Sequence, residues 1–387
     1  MVPIIFFVEA AIAGTPNDIE RGQNHDLPKH QPHNGKLFKT FDELTGKQLE
    51  TALATVDPSF RSWRHMTLAE RSGIAAKAGA VKRARVDEFA RPIRLEVGKL
   101  TKQARDEVML SVSTIDYNAK NAEAFPAPQH LKPTSGEAQP ESTPFDVLFG
   151  VQAWNFPYYQ LAHFVAPNLM AGNVAMMKHA GFVSQCAIAS EKLRLEAGAP
   201  EGAYTNLLIS YDQVNRVSDG PRIKAVAYTG NVEAGKKVAC RAGQNLKKSK
   251  IEFGGSDALI VLEDADLNEA SKCAVWSNME QSCVAAKRFI VVEELADRFL
   301  DKFQTAMAAF KPANPINKAT ALGPPSTDAA LVKLQDQVKG AVAQWATVAM
   351  VCSRRSWRTS SQAIRPSGRK YSGRSRFSSE SRKRTKR

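Results

Sequence analysis

Cys283 lies in a stretch whose residue types are suited to nucleophilic chemistry. In residues 279–289 this cysteine stands between small and polar neighbours, ahead of a strand-like run at 289–292. A thiolate attacks a carbonyl carbon well even when only partly populated. A lone cysteine is more often a buried structural residue, since free Cys is among the most buried residue types. A catalytic interpretation of Cys283 therefore depends on the stretches that accompany it.

Two polar residues elsewhere could assist such a thiol. Asn155, in the run Trp-Asn-Phe-Pro at 154–157, follows a predicted strand and could donate its amide N–H to a developing oxyanion. Glu252 ends a predicted strand before Gly254 and Gly255, where it could act as a general base on water. Each residue also has a plainer interpretation. Asn155 could be a turn residue before Pro157, and Glu252 could be a solvated carboxylate at a strand end.

A third stretch is suited to binding a phosphate. Residues 228–236 (YTGNVEAGK) join a predicted strand to a predicted helix, with glycines at 230 and 235. These glycines would let a pyrophosphate approach the N–H groups at the helix N-terminus. Alone, this glycine spacing is weak evidence.

The order of the strands and helices that must position these residues predicts an α/β fold. From 145 to 262 short apolar strands alternate with helices, which is typical of a parallel doubly wound sheet, and the alternation continues to about 310. Upstream, Thr45-x-x-Gln48 and Thr67-x-x-Glu70 are capping boxes that open helices. The second of these helices is predicted to run towards Phe89.

Composition narrows the class of protein. The chain has 387 residues, 43% hydrophobic and 24% charged, as in ordinary globular proteins. Five scattered cysteines without metal-ligand spacing predict reduced thiols, a cytoplasmic location and no metal site. No apolar run approaches the roughly 20 residues of a membrane span, so no membrane association is predicted. Residues 1–33 lack periodicity and predict a poorly ordered arm.

The positive charge is concentrated at one end. Residues 351–387 contain ten Arg and three Lys against one Glu, a net +12, while the first 350 residues carry the remaining +2 of the total +14. This Ser/Arg-rich composition predicts a disordered tail. We favour an out-of-frame or otherwise aberrant C-terminus; the alternative is a nucleic-acid-binding arm on a retired enzyme scaffold.

Taken together and in this order, the motifs resemble the aldehyde dehydrogenase superfamily. The matching runs are WNFP, Met177-Lys178, TGNVEAGK, IEFGG and QSCVAAKRF, within a resemblance that covers about residues 36–350. The runs WNFPYYQLAHFVAPNLMAGN and KRFIVVEELADRFLDKF are most similar to the succinate-semialdehyde dehydrogenase branch.

The resemblance implies an activity and a set of roles. Cys283 would attack the aldehyde carbon to give a thiohemiacetal, whose oxyanion is held by Asn155 and the backbone N–H at Cys283. Hydride would pass to NADP or NAD, and Glu252 would activate the water that hydrolyses the resulting thioester. Cys283 would lie where helix-start N–H groups stabilise its thiolate. The implied cofactor-binding residues are Lys178 (adenosine ribose), Trp154 (the cleft), and Gly230, Asn231 and Gly235 (the pyrophosphate).

Four positions depart from the family pattern. The loop before Cys283 is about three residues short and has Glu280 where Gly is usual, which predicts a displaced thiol. Asn231 replaces the usual Ser of the phosphate turn. His163 stands where semialdehyde-specific relatives carry Arg for the substrate carboxylate, and an imidazole is only fractionally charged near neutral pH. Gly181 replaces a carboxylate that repels a 2′-phosphate, so NADP is expected to bind at least as well as NAD.

The implied organisation is a Rossmann-type cofactor domain over 34–253, with an oligomerisation hairpin at about 125–150, and an incomplete catalytic α/β domain over 254–350. The family's Glu-x-Phe-Gly-Pro segment and its last strand do not occur after Cys283. Family members form homodimers or tetramers by pairing the hairpin with that strand. For this chain we therefore expect impaired turnover and no clean symmetric assembly.

Overall fold

A computed structural model describes residues 2–5, 26–124, 134–136, 138, 141–255, 257–279 and 281–343. Within them the helices are α1 (Gly46–His65), α2 (Leu68–Ala84), α3 (Val86–Val97), α4 (Thr101–Asn121), α5 (Pro157–Met170), α6 (Ser184–Ala197), α7 (Tyr211–Asp219), α8 (Val232–Gln244), α9 (Leu267–Met279), α10 (Glu293–Ala308) and α11 (Asp328–Ala343). The strands are β1 (Val2–Ile5), β2 (Asp26–His30), β3 (Leu37–Asp42), β4 (Val147–Val151), β5 (Val174–Lys178), β6 (Tyr204–Asn206), β7 (Ile223–Gly230), β8 (Lys248–Phe253), β9 (Asp257–Val261) and β10 (Ala286–Val291).

A five-stranded parallel sheet, in the order β6-β5-β4-β7-β8, organises the cofactor half. Every residue of β4 and β5 is buried, which explains their apolar sequences, because helices cover both faces of such a sheet. Val151 is in register with Lys178 on β5 and with Tyr228 on β7. The carboxyl ends of these strands therefore lie at one edge, where ligands bind in doubly wound folds.

A second sheet, in the order β1-β10-β9, supports the loop of Cys283. Strands β9 and β10 are parallel, and β1 pairs with β10 in the antiparallel sense. Phe289 of β10 packs against Phe299 and Phe303 of α10, with ring centres 5.8 and 5.2 Å away. This buried aromatic group anchors the strand that follows the thiol.

Local signals predicted the helix starts well. Thr45 with Gln48, and Thr67 with Glu70, form the two predicted capping boxes at the starts of α1 and α2. The helix expected to continue towards Phe89 instead breaks at Arg85, and α3 begins at Val86. No described helix is long and apolar enough to cross a membrane.

Two predictions about local order need correction. The poorly ordered arm predicted for residues 1–33 contains β1 and β2. Strand β1 pairs with β10, a partner distant in sequence that periodicity could not reveal, whereas β2 pairs with the nearby strand β3. In the predicted hairpin at 125–150, β4 is a strand of the parallel sheet, while residues 125–133, 137, 139 and 140 lie outside the described residues, as does the predicted tail. The predicted boundary at 253 falls between the two sheets, and the domain division stays a prediction.

A buried ion pair holds the start of α5, a helix that begins at Pro157, the last residue of the run 154–157. Lys99 Nζ lies 2.9 Å from Glu107 Oε2, with side chains 1% and 0% exposed. The other oxygen, Oε1, accepts a 2.9 Å hydrogen bond from the backbone N–H of Tyr158. Lys99 Nζ also lies 3.1 Å from the centre of the Phe156 ring. Glu107 thus satisfies an N-terminal donor of α5 that would otherwise be unpaired.

Glu107→Gln is expected to lower the free energy of unfolding by about 3–5 kcal/mol, because it leaves the buried Lys99 ammonium without its counter-charge. Asp106→Asn is the matched control on the same helix. Asp106 pairs with Lys102 at 2.5 Å, but the side chains are 56% and 86% exposed, so the change should be about 1 kcal/mol or less. Urea unfolding of both variants checks this. Equal effects would show that the buried pair does not hold α5.

Candidate active site

Asn155 lies in the connection between β4 and α5 and is fully buried. Pro157 begins α5, a position that suits proline because the first helical N–H has no intrahelical partner. The Asn155 Nδ2 donates a 2.9 Å hydrogen bond to the carbonyl of Gln281, and its Oδ1 accepts a 2.7 Å bond from Gln160 Nε2. The predicted oxyanion donor therefore faces the loop that carries Cys283.

Cys283 is half-buried in the loop between α9 and β10. The expectation of a helix start at the thiol is wrong, because the preceding helix ends at Met279 and a strand follows at Ala286. The Cys283 carbonyl accepts a 3.3 Å hydrogen bond from Gly255 N–H. Gln281 has a φ of 56°, a left-handed conformation that side-chain-bearing residues seldom adopt.

Lys287, which sequence reasoning missed, fastens this loop from the other side. Its side chain is buried, and Nζ donates to the carbonyls of Gly255, at 2.6 Å, and Cys283, at 3.5 Å. A lysine four residues after the cysteine carries no sequence signal for this role, since most lysines are solvated. Lys287 ties the loop to the segment that follows β8.

Glu252, the predicted general base, stands near the end of β8, three residues before Gly255. Its side chain is 57% exposed, and Oε1 lies 3.5 Å from Lys250 Nζ. The structure thus brings the strand of Glu252 to the thiol loop through the Gly255–Cys283 hydrogen bond, while the carboxylate pairs with a surface lysine. Its role as a base stays a prediction.

The predicted phosphate turn joins β7 to α8. Asn231 caps α8 by accepting a 2.8 Å hydrogen bond from Ala234 N–H through Oδ1, which explains how Asn replaces Ser here. A Cβ on Gly230 would lie 2.4 Å from the Tyr228 hydroxyl oxygen, and one on Gly235 2.2 Å from the Phe253 ring. Both positions require glycine because the side chains of Tyr228 and Phe253 fill the space where a Cβ would lie. The approach of a ligand to this turn stays a prediction.

Tyr228 is a further residue that the motif did not reveal. Its hydroxyl lies beside Gly230, and burial raises its pKa to about 12, although a hydrogen bond with the Asn231 backbone acts in the opposite direction. The phenol therefore stays neutral at physiological pH and keeps an O–H donor at the phosphate turn.

Two lysines flank the predicted ribose position. Lys178 ends β5, where its Nζ donates to the His179 carbonyl at 3.0 Å and lies 5.2 Å from the centre of the Tyr211 ring. The buried Lys29 of β2 donates to the carbonyl of Gly181, and burial lowers its pKa to about 8, with a further lowering from Lys178. The Lys29 ammonium thus lies beside position 181, and the Glu96 and Glu43 carboxylates partly offset the lowering of its pKa.

Trp154 and His163 lie on opposite sides of Asn155 in the sequence. Trp154 is 5% exposed and packs on Phe182, with ring centres 5.6 Å apart. His163, on α5, lines an open groove of about 410 Å³ between α4 and α5. The other groove residues are Ser113, Thr114, Tyr117, Asn118 and Pro167.

These features fit a dinucleotide cofactor. Lys178 would hold the ribose hydroxyls, and the backbone N–H groups at the α8 N-terminus would hold the pyrophosphate. Among the described residues, no group of three or more His, Cys, Asp or Glu side chains is placed to hold a metal ion.

Comparison with known proteins shows the family of the chain. A model of the aldehyde dehydrogenase family matches residues 19–366. The chain belongs to this family. Among its relatives, the NADP(+) succinate-semialdehyde dehydrogenase of Deinococcus radiodurans is 38% identical over 320 residues, covering 82% of this chain and 67% of the relative. The corresponding enzyme of Mycobacterium avium is 38% identical over 324 residues, covering 82% and 69%.

Solved structures give the same result. The succinic semialdehyde dehydrogenase of Streptococcus pyogenes, in complex with NADP+ as the cofactor, superposes with a TM-score of 0.80 at 35% identity, covering 82% of this chain and 70% of that one. The predicted α/β fold and NAD(P)-dependent aldehyde oxidation are confirmed. The family match extends past both predicted limits of the resemblance, residues 36 and 350. The alternative of a nucleic-acid-binding protein finds no support.

Proposed function

We propose that this chain oxidises a short aldehyde with a distal carboxylate, of the succinate-semialdehyde type, using NADP or NAD. The observation that carries the proposal is the buried Asn155 amide, which bonds the loop backbone two residues before Cys283. A relative with 38% identity is named for the oxidation of succinate semialdehyde with NADP(+). Family dehydrogenases of other aldehydes would share the same thiol and amide, so substrate preference depends on the groove at His163.

The first step uses Cys283 and Asn155. The Cys283 thiolate attacks the aldehyde carbon, a C–S bond forms, and the carbonyl π electrons move to oxygen. One N–H of the Asn155 amide bonds Gln281, and the second N–H is left to donate to the oxyanion. Lys178 and the α8 N-terminus would hold NADP or NAD, which would supply the hydride acceptor for this carbon, and an acyl group would remain on sulfur.

Water then releases the acid. Glu252 takes a proton from water, the hydroxide adds to the acyl carbon, and the C–S bond breaks to return the thiolate. To act here, the carboxylate must leave Lys250. Exposed ion pairs contribute only about 0–1 kcal/mol, so this reorientation is inexpensive.

The distal carboxylate is assigned to the groove between α4 and α5 through His163 alone, because the hydroxyl hydrogens of Ser113 and Thr114 are already used. Ser113, Thr114 and Asn118 donate through their side chains to backbone carbonyls of α4, at 3.1, 3.0 and 2.9 Å. His163 is exposed at the same groove, and its ring stands 6.0 Å from that of Tyr159. In its protonated form, His163 supplies the positive charge that a carboxylate requires.

Cys283→Ser is expected to reduce NADP-linked oxidation of succinate semialdehyde by at least about a thousandfold, because an alcohol is a far weaker nucleophile than a thiolate. Cys240→Ser and Cys273→Ser, at exposed positions on α8 and α9, are matched controls that should retain activity. NADPH formation measures all three. Wild-type turnover by Cys283→Ser would disprove the nucleophile assignment, and an inactive wild-type chain would disprove the proposed function.

His163→Arg tests the carboxylate subsite. A permanently charged guanidinium should lower KM for succinate semialdehyde about tenfold at neutral pH, by strengthening a charge-assisted hydrogen bond. The KM for butanal, a four-carbon aldehyde without the carboxylate, should stay unchanged. Equal changes for both substrates would place the carboxylate elsewhere.

Gly181→Glu tests cofactor choice. A carboxylate at position 181 should weaken NADP binding about tenfold through repulsion of the 2′-phosphate, and should leave NAD binding within about twofold. Gly243→Glu is the control, since Gly243 is exposed on α8 and a Cβ there meets no atom within 4 Å. Fluorescence titration with each cofactor gives the comparison. Parallel loss of both cofactors would contradict the assignment.

A further inference from the structure

Gln160, in the first turns of α5, bonds the side chain that is proposed to hold the oxyanion. Its Nε2 donates a 2.7 Å hydrogen bond to Asn155 Oδ1. The Gln160 Oε1 is buried and has no hydrogen-bond partner among the described residues. One end of the Gln160 amide is therefore hydrogen-bonded, and the other end is unsatisfied.

If Gln160 served only to fill space, this arrangement would be costly. Burying an unpaired amide oxygen opposes folding, and an apolar side chain of similar length would fill the same space without that cost. A hydrogen bond donated by Nε2 explains why an amide stands at this position. The acceptor of that hydrogen bond is Asn155 Oδ1.

The contact determines which way the Asn155 amide faces. An asparagine amide has an oxygen that only accepts and a nitrogen that only donates. Gln160 presents a donor to one end and the Gln281 carbonyl presents an acceptor to the other, at 2.7 and 2.9 Å. Reversal of the amide would oppose donor to donor and acceptor to acceptor. With Gln160 in place, Nδ2 and its second N–H stay on the side of the thiol loop.

We propose that Gln160 is a positioning residue for the oxyanion donor: it holds Asn155 Oδ1 so that Nδ2 points to the developing charge. The inference rests on the proposed role of Asn155 in aldehyde oxidation. Without Gln160, Asn155 keeps one of its two orienting bonds, and its N–H is no longer held ready before the reaction. Preorganised donors stabilise transition states because they need not reorient as charge develops.

The test uses two variants of Gln160. Gln160→Met keeps the length and removes the donor; Gln160→Glu presents acceptors only and competes for the Asn155 N–H groups. Acylation of Cys283 by p-nitrophenyl acetate without cofactor should fall about tenfold in Gln160→Met and about a hundredfold in Gln160→Glu, the range seen when oxyanion donors are misplaced or lost. In aldehyde oxidation kcat should fall similarly, with KM within about twofold.

Alkylation of Cys283 by iodoacetamide provides the internal reference, because this substitution develops no oxyanion at a carbonyl. Its rate should stay within about twofold of wild type in both variants, because it depends on the ionisation and accessibility of the Cys283 thiol and not on the Asn155 amide. Gln244→Met, an exposed position on α8, should change neither rate. Equal losses of acylation and alkylation would show that Gln160 merely supports the fold and would overturn the proposal.

A double-mutant cycle separates positioning from an independent effect. In an Asn155→Ala background, Gln160→Met should slow acylation no further, because the group it orients is gone. A full additional tenfold loss would overturn the proposal. Acylation needs no aldehyde oxidation, so Gln160 can be judged even if wild-type protein oxidises no aldehyde, the result that would instead refute the proposed function.

Discussion

The hydrogen bond from Asn155 Nδ2 to the Gln281 carbonyl joins residues 126 positions apart and is buried. It links the edge of the parallel sheet, where Asn155 follows β4, to the loop that carries Cys283 in front of β10. A hydrogen bond in such a low-dielectric setting is strong, and its loss leaves buried polar groups unpaired. Glu107 holds one side of this contact through the start of α5, and Lys287 and Gly255 hold the other.

The conformation of Gln281 shows how the backbone before Cys283 is held. A left-handed residue other than glycine costs on the order of 1–3 kcal/mol and persists where its surroundings determine it. Here the carbonyl of the same residue receives the Asn155 hydrogen bond, and Cys283 is tied to Gly255 two residues later. The loop is therefore fastened on both sides of its strained residue. The sequence predicted a displaced thiol, and the structure shows the contacts that restrain its backbone.

Sequence patterns predicted the alternation of strands and helices from 145 to 310, because alternation of apolar strands with helices is a local signal. What they missed depends on distant neighbours. The pairing of β1 with β10, the burial of Lys287 and the Tyr228 hydroxyl beside Gly230 each require tertiary contacts that no spacing encodes. The Glu252 carboxylate is a further case, since its strand position was predictable but its pairing with Lys250 was not.

Sheet register brings the proposed site residues to one edge of the parallel sheet. Val151 lies level with Lys178 and with Tyr228, and Thr229 lies level with Glu252 on β8. The residues proposed to bind the ribose (Lys178), the oxyanion (Asn155) and the pyrophosphate (the turn at Gly230), and the proposed base Glu252, thus lie at or just after the carboxyl ends of four adjacent parallel strands, β5, β4, β7 and β8. Such an edge is positioned by backbone hydrogen bonds before any ligand arrives. The second sheet needs to deliver only the thiol, so the precision of the site rests on the few contacts that tie the Cys283 loop to Asn155 and Gly255.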